Sequence, residues 1–117
     1  MEELFASSDF ISIHIPLTPQ TENLIDRKIF ASANPDMVLI NTARGGIVNE
    51  ADLFDALVTK KIRAAACDVF KPKPLSKESH LLSLEKFMAT YHVGGNTQEA
   101  LDRVGIKTVE NIEKHLL

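Results

Sequence analysis

The chain has no tryptophan, one tyrosine and one cysteine, and its five glycines are confined to positions 45, 46, 94, 95 and 105. The lone Cys67 excludes an intrachain disulfide. It falls in an apolar segment and reads as an inert buried thiol, because a reactive one needs an accessible, electropositive setting. One cysteine and four histidines show none of the spacings of a zinc site, so no metal is expected. A basic field is also missing. Lys and Arg total 13 against 16 Asp and Glu, for a net charge of -3 and a pI near 5.8. Nucleic acid and anionic membranes are therefore not expected as partners. No apolar run approaches the ~20 residues of a membrane span. The N-terminus carries Glu2 and Glu3 where a secretory signal has a basic start and an apolar core. The expectation is a soluble, cytoplasmic protein.

What is present is ordinary globular material: 44% hydrophobic and 25% charged residues in 117, enough for one domain with a modest core. Helix and strand signals alternate. Glu2 to Ser7 reads as the tail of a helix, and Phe10 to Ile15 as a strand stopped by Pro16. Asp26 caps a short helix through Phe30, and Pro35 closes that region. Met37 to Asn41 is the next strand. Asn49 caps a helix from Glu50 to about Thr59, with Leu53, Phe54 and Leu57 on its apolar face and acids in its first turn. Ile62 to Cys67 and Phe87 to Thr90 are further strands, separated by a proline-containing loop from Lys71 to Ser79. From Thr97 a long helix runs to the end, with Leu101, Val104, Thr108, Ile112 and Leu116 on one face and Gly105 as a weak point. This rhythm predicts an α/β fold with a parallel sheet and right-handed crossovers.

The predicted strand ends carry the chemistry. Asn41-Thr42-Ala43-Arg44-Gly45-Gly46 follows the apolar run from Met37 to Ile40. An arginine in such a glycine-flanked turn is placed to grip a small carboxylate through two parallel hydrogen bonds. Asp68 ends a second strand, and Tyr91-His92-Val93-Gly94-Gly95 follows a third. His92 is a side chain whose unperturbed pKa lies near neutrality, as acid/base work requires.

Leu39-Ile-Asn-Thr-Ala-Arg-Gly-Gly46, Ala65-Ala-Cys-Asp-Val-Phe70 and His92-Val-Gly-Gly-Asn-Thr-Gln-Glu-Ala100, with His14-Ile-Pro-Leu-Thr18 upstream, closely resemble the D-isomer-specific 2-hydroxyacid dehydrogenases. That group includes phosphoglycerate and glyoxylate/hydroxypyruvate reductases. The resemblance runs from about Leu4 to the end of the chain. It implies an incomplete Rossmann-type parallel sheet, the second half of an NAD-binding domain, with about four strands and flanking helices. None of the five glycines opens the Gly-x-Gly-x-x-Gly turn that receives a pyrophosphate. Residues 1–117 are thus expected to be a truncated NAD-binding domain lacking the phosphate-binding half and the substrate domain.

By the same resemblance, Arg44 would bind the substrate carboxylate and polarise the 2-oxo group, and His92 would be the general acid/base. Asp68 and the Gly94-Gly95 backbone would face the nicotinamide carboxamide, Thr42 and Ala43 would line its ring, and Pro16 would border the adenine side. NAD or NADP is the implied cofactor. The chain departs from the family at one catalytic position. Lys73 stands where a glutamate that pairs with the histidine is expected. A carboxylate accepts the imidazole N–H and favours the protonated ring, whereas an ammonium can do neither. A long lysine is expected to swing to water and leave the histidine unpaired. Glu78, in the same loop, is the available substitute.

Three functions are compatible with these residues. One is a piece of an NAD(P)-dependent oxidoreductase of small D-2-hydroxy acids, inactive alone. Another is an enzyme complemented by a separate N-terminal half, and the third is a non-enzymatic oligomerising or partner-binding module. In the strand order 3-2-1-4-5-6 the first strand of a second half borders the other half. Phe10 to Ile15 is therefore expected to be an exposed edge through which the chain self-associates.

Overall fold

The computed structural model describes residues 1–116, and the side chain of Leu116 lies outside the described residues. A short helix, α1 (Glu2–Ser7), leads into β1 (Phe10–Ile13). Then follow α2 (Arg27–Ala31), β2 (Val38–Asn41), α3 (Glu50–Val58) and β3 (Ala64–Cys67). A 3₁₀ turn (His80–Ser83), β4 (Phe87–Ala89) and α4 (Gln98–Leu116) complete the order. The four strands form one parallel sheet in the order β1-β2-β3-β4, as the alternation of elements predicted.

Capping follows the sequence. The Asp26 carboxylate accepts the N–H groups of Lys28 and Ile29 at 3.0 and 3.2 Å. The Asn49 side chain accepts that of Asp52 at 3.0 Å, and the Thr97 hydroxyl accepts that of Ala100 at 3.1 Å. Each satisfies a donor that the first turn of a helix leaves without an intrahelical partner.

One face of the sheet makes the core. Ile11, Ile13, Leu39, Ala65 and Cys67 are buried on it against Phe5 of α1, Phe30 of α2 and Leu53 and Leu57 of α3. Leu81 of the 3₁₀ turn joins them. That turn lies after the predicted loop, in a stretch for which the sequence predicts no element; burial of Leu81 draws the chain into a helical turn before β4. The opposite face alternates with the core face and is far more open. Ser12, Ile40, Ala66 and Met88 form a row across the four strands, and Met88 is 66% exposed.

β1 is an edge strand, paired only with β2, and Phe10 on it is 65% exposed. It is shorter than the predicted Phe10 to Ile15. The ladder stops at Ile13 opposite Asn41, where β2 ends and its side chain turns into the next loop. Helix α4 is amphipathic as read, yet Leu101, Val104, Val109 and Ile112 are all exposed. No helix among the described residues is long and apolar enough to cross a membrane.

Leu39 is 0% exposed at the centre of the packed face. Leu39→Ala should cost roughly 2–5 kcal/mol in urea unfolding, and a loss under about 1 kcal/mol would show that the centre of the sheet is not where the core lies.

Candidate active site

The parallel register sends the carboxyl ends of β2, β3 and β4 to one edge of the sheet, where irregular chain can gather polar groups. At the end of β2, Asn41 is 1% exposed, and it is satisfied locally. Its Oδ1 accepts the Ala43 N–H and its Nδ2 donates to the Arg44 carbonyl, both at 3.1 Å. This Asx-type turn presents Arg44. The Arg44 side chain is exposed and donates from Nη1 to the Ala43 carbonyl at 2.6 Å. The glycines behind it have a steric reason. A Cβ on Gly45 would lie 2.1 Å from the Phe70 carbonyl oxygen, and Gly46 has φ +87°. The turn is thereby pressed against the segment leaving β3.

Asp68 ties the strand ends together. Its N–H donates to the Asn41 carbonyl at 2.9 Å, and the Thr90 N–H donates to the Cys67 carbonyl at 3.0 Å. The Asp68 carboxylate is 6% exposed. Its Oδ1 accepts the Thr90 hydroxyl at 2.5 Å and the Val93 N–H at 2.9 Å, and its Oδ2 accepts the Gly94 N–H at 3.1 Å. Burial pushes the carboxyl up, but the hydrogen bonds from Thr90, Val93, Gly94 and the His92 backbone outweigh it and hold the group below the usual carboxylate range. His92 sits inside this clamp with φ +59°, in the left-handed region. The amides clamped on its C-terminal side hold that backbone conformation.

Lys73 does not swing to water, contrary to the sequence expectation. Its Nζ lies 3.1 Å from His92 Nδ1. An ammonium has donors and no acceptor, so in this contact Nζ donates and Nδ1 accepts, which puts the imidazole proton on Nε2. The imidazole is thus not unpaired, but its partner is a cation. The loop that brings Lys73 here is anchored nearby. Lys71 pairs through Nζ with Glu22, and its N–H donates to Glu50 at 2.8 Å. Burial raises the Glu50 pKa, and that N–H partly offsets the rise. Glu78 does not replace the expected glutamate at this cleft. It lines a separate cavity with Phe54 and His80, on the α3 side of the loop.

Arg44, Asp68, Lys73 and His92 converge on one cleft of about 340 Å³, walled by Phe70, Pro74, Leu75 and Tyr91. Thr42 shares a shallower hollow of about 60 Å³ with Asp68, Ile40, Ala66 and Met88. Pro16, Ala43, Gly94 and Gly95 line neither hollow. Burial pushes the Cys67 thiol up to about 12, with the Glu50 charge adding to it, which fits the inert thiol read from the sequence. Asn41 and Gly45 belong to the turn motif read from the sequence, but their supporting roles, like that of Thr90, come from the structure. The signals were an asparagine ending a strand, and a glycine pair where one glycine would have served a turn.

A parallel α/β sheet with its polar groups gathered at the carboxyl ends defines a Rossmann-type, nucleotide-binding class of domain. Within that class, residues 1–94 match the model of the D-isomer specific 2-hydroxyacid dehydrogenase NAD-binding domain, and the chain belongs to this family. It is 44% identical to the hydroxypyruvate reductase of Thermotoga maritima, over 99% of this chain and 39% of that protein. It is 42% identical to the D-3-phosphoglycerate dehydrogenase of Mycobacterium tuberculosis, over 96% of this chain and 21% of that one. Among solved structures, the holo D-mandelate dehydrogenase of Rhodotorula graminis superposes with TM-score 0.88 at 34% identity, over 97% of this chain and 32% of its own. D-lactate dehydrogenase of Lactobacillus jensenii with NAD+ superposes with TM-score 0.78 at 30% identity, over 86% and 34%. The chain therefore spans about a fifth to two-fifths of these relatives.

Because the native Asp68 pKa lies below the ordinary value, its contribution to stability is complete above about pH 4 and is lost as pH falls through the lower native value. Asp68→Asn should be less stable than wild type by a constant margin above about pH 5, and that margin should close on acidification below pH 4. Urea unfolding across this range checks it; a margin independent of pH would mean that the carboxylate charge is not what holds the loop.

Proposed function

We propose that these residues are the substrate-gripping and acid/base part of an NAD(P)-dependent oxidoreductase acting on the CH–OH group of small D-2-hydroxy acids. The observation that carries this reading is the convergence of Arg44 and His92, from loops after β2 and β4, on one cleft. In it Arg44 grips the carboxylate and polarises the 2-oxo group, and His92 serves the 2-hydroxyl oxygen. The single buried thiol fits a reducing compartment, and we place the protein in the cytoplasm.

We further propose that this 117-residue chain is inactive by itself. The residues present do not fit a whole dinucleotide. No Gly-x-Gly-x-x-Gly cradle lies among them, and both Asp68 oxygens are already occupied by Thr90, Val93 and Gly94. Lys73 also removes the carboxylate that would favour a protonated His92, which impairs acid/base assistance worth roughly 10²- to 10⁴-fold. Calorimetric titration with NADH to millimolar concentration should show no binding, and a panel of 2-oxo acids no turnover; micromolar binding would overturn this reading. Recovery of NADH-linked turnover on adding a separately expressed N-terminal half would instead mark a complemented enzyme.

The open flank of β1 favours a second reading, a module that self-associates or binds a partner through that edge. Light scattering at high concentration should then report dimers or larger species. A monodisperse monomer would count against it.

A further inference from the structure

We propose that the cleft of Arg44, Lys73 and His92 takes a small dianion, a 2-oxo dicarboxylate, in preference to a monocarboxylate. The proposal rests on the reading of Arg44 as a carboxylate site and adds a second anion position at Lys73. Both cations line the same cleft, beside His92. The Lys73 ammonium carries three donors and gives one to His92 Nδ1, so two remain for a ligand. The His92 Nε2–H that this hydrogen bond leaves in place is a further neutral donor.

The ionised Asp68 carboxylate offsets one of the two cations and leaves the cleft with a net positive charge. Asp68 is the carboxylate among the residues lining the cleft, and its oxygens are occupied by the Thr90 hydroxyl and the Val93 and Gly94 N–H groups. Glu22 and Glu50 are engaged by Lys71 and line other hollows, and Glu78 of the same loop lines the hollow with Phe54 and His80. Phe70, Pro74 and Leu75 give the cleft an apolar wall on one side, against which the hydrocarbon chain of a short diacid can lie. A cleft of about 340 Å³ is at the small end of ligand sites and suits a short diacid. Were a glutamate at position 73, the second carboxylate of such a ligand would meet a like charge. Lysine there replaces a repulsive contact by an attractive one, which is how selectivity between similar ligands changes.

The test compares 2-oxoglutarate with the monoanion 2-oxopentanoate at one low ionic strength, following the amide and imidazole resonances of the chain by NMR. The dianion should bind about tenfold more tightly. Lys73→Gln should abolish the difference, Lys73→Arg should keep it, and Arg44→Gln should weaken both ligands. Equal affinity for the two acids, or a preference that survives Lys73→Gln, overturns the proposal and leaves the carboxylate-site reading standing. Failure of both acids to bind overturns the proposal together with that reading. Position 73 is exposed, so its variants should fold, and their amide spectra report directly whether they do.

Discussion

Every polar contact of the cleft depends on the parallel register of β2, β3 and β4. Asn41 lies opposite Cys67 and Cys67 opposite Ala89, so the three strands stop together and their following loops meet. What holds that register is one-sided burial. Leu39 with Asn41, and Ala65 with Cys67, all face the packed side. A slip of one residue would turn them to the open face and take Arg44 and Asp68 out of reach of each other's loops.

On that frame a few local interactions decide the chemistry. Asn41 shapes the turn before Arg44, Gly45 lets it press against the backbone of Phe70, and Asp68 clamps the segment after His92. These residues act by position and satisfy one another's hydrogen bonds. No buried side-chain polar atom among the described residues lacks a partner. The groups left with spare donors are those at the surface of the cleft, Arg44, Lys73 and His92. The ordered part of the site is thus internal, and its outward-facing part is cationic.

The open side of the sheet and the exposed stripe of α4 follow another logic. Parallel sheets are ordinarily covered on both faces. Here α1, α2, α3 and the 3₁₀ turn share one face, while Phe10 and Met88 lie exposed on the other. Such apolar exposure on two elements is the physical mark of surfaces suited to further contacts.

Sequence alone determined the order of elements, the caps at Asp26 and Asn49, and the three strand ends that carry Arg44, Asp68 and His92. Those features are written in local periodicity and in residue types with strong turn or capping preferences, which act over a few positions. The proline-containing loop was legible only as a loop, and neither the 3₁₀ turn that follows it nor the direction of the loop's side chains could be read from composition. Tertiary structure decided that Lys73 points to His92 and Glu78 away from it, that Asp68 spends its carboxylate on the loop after β4, and that β1 ends at Ile13. Each depends on a partner about 15 or more residues distant in sequence, brought near only when the sheet closes its register.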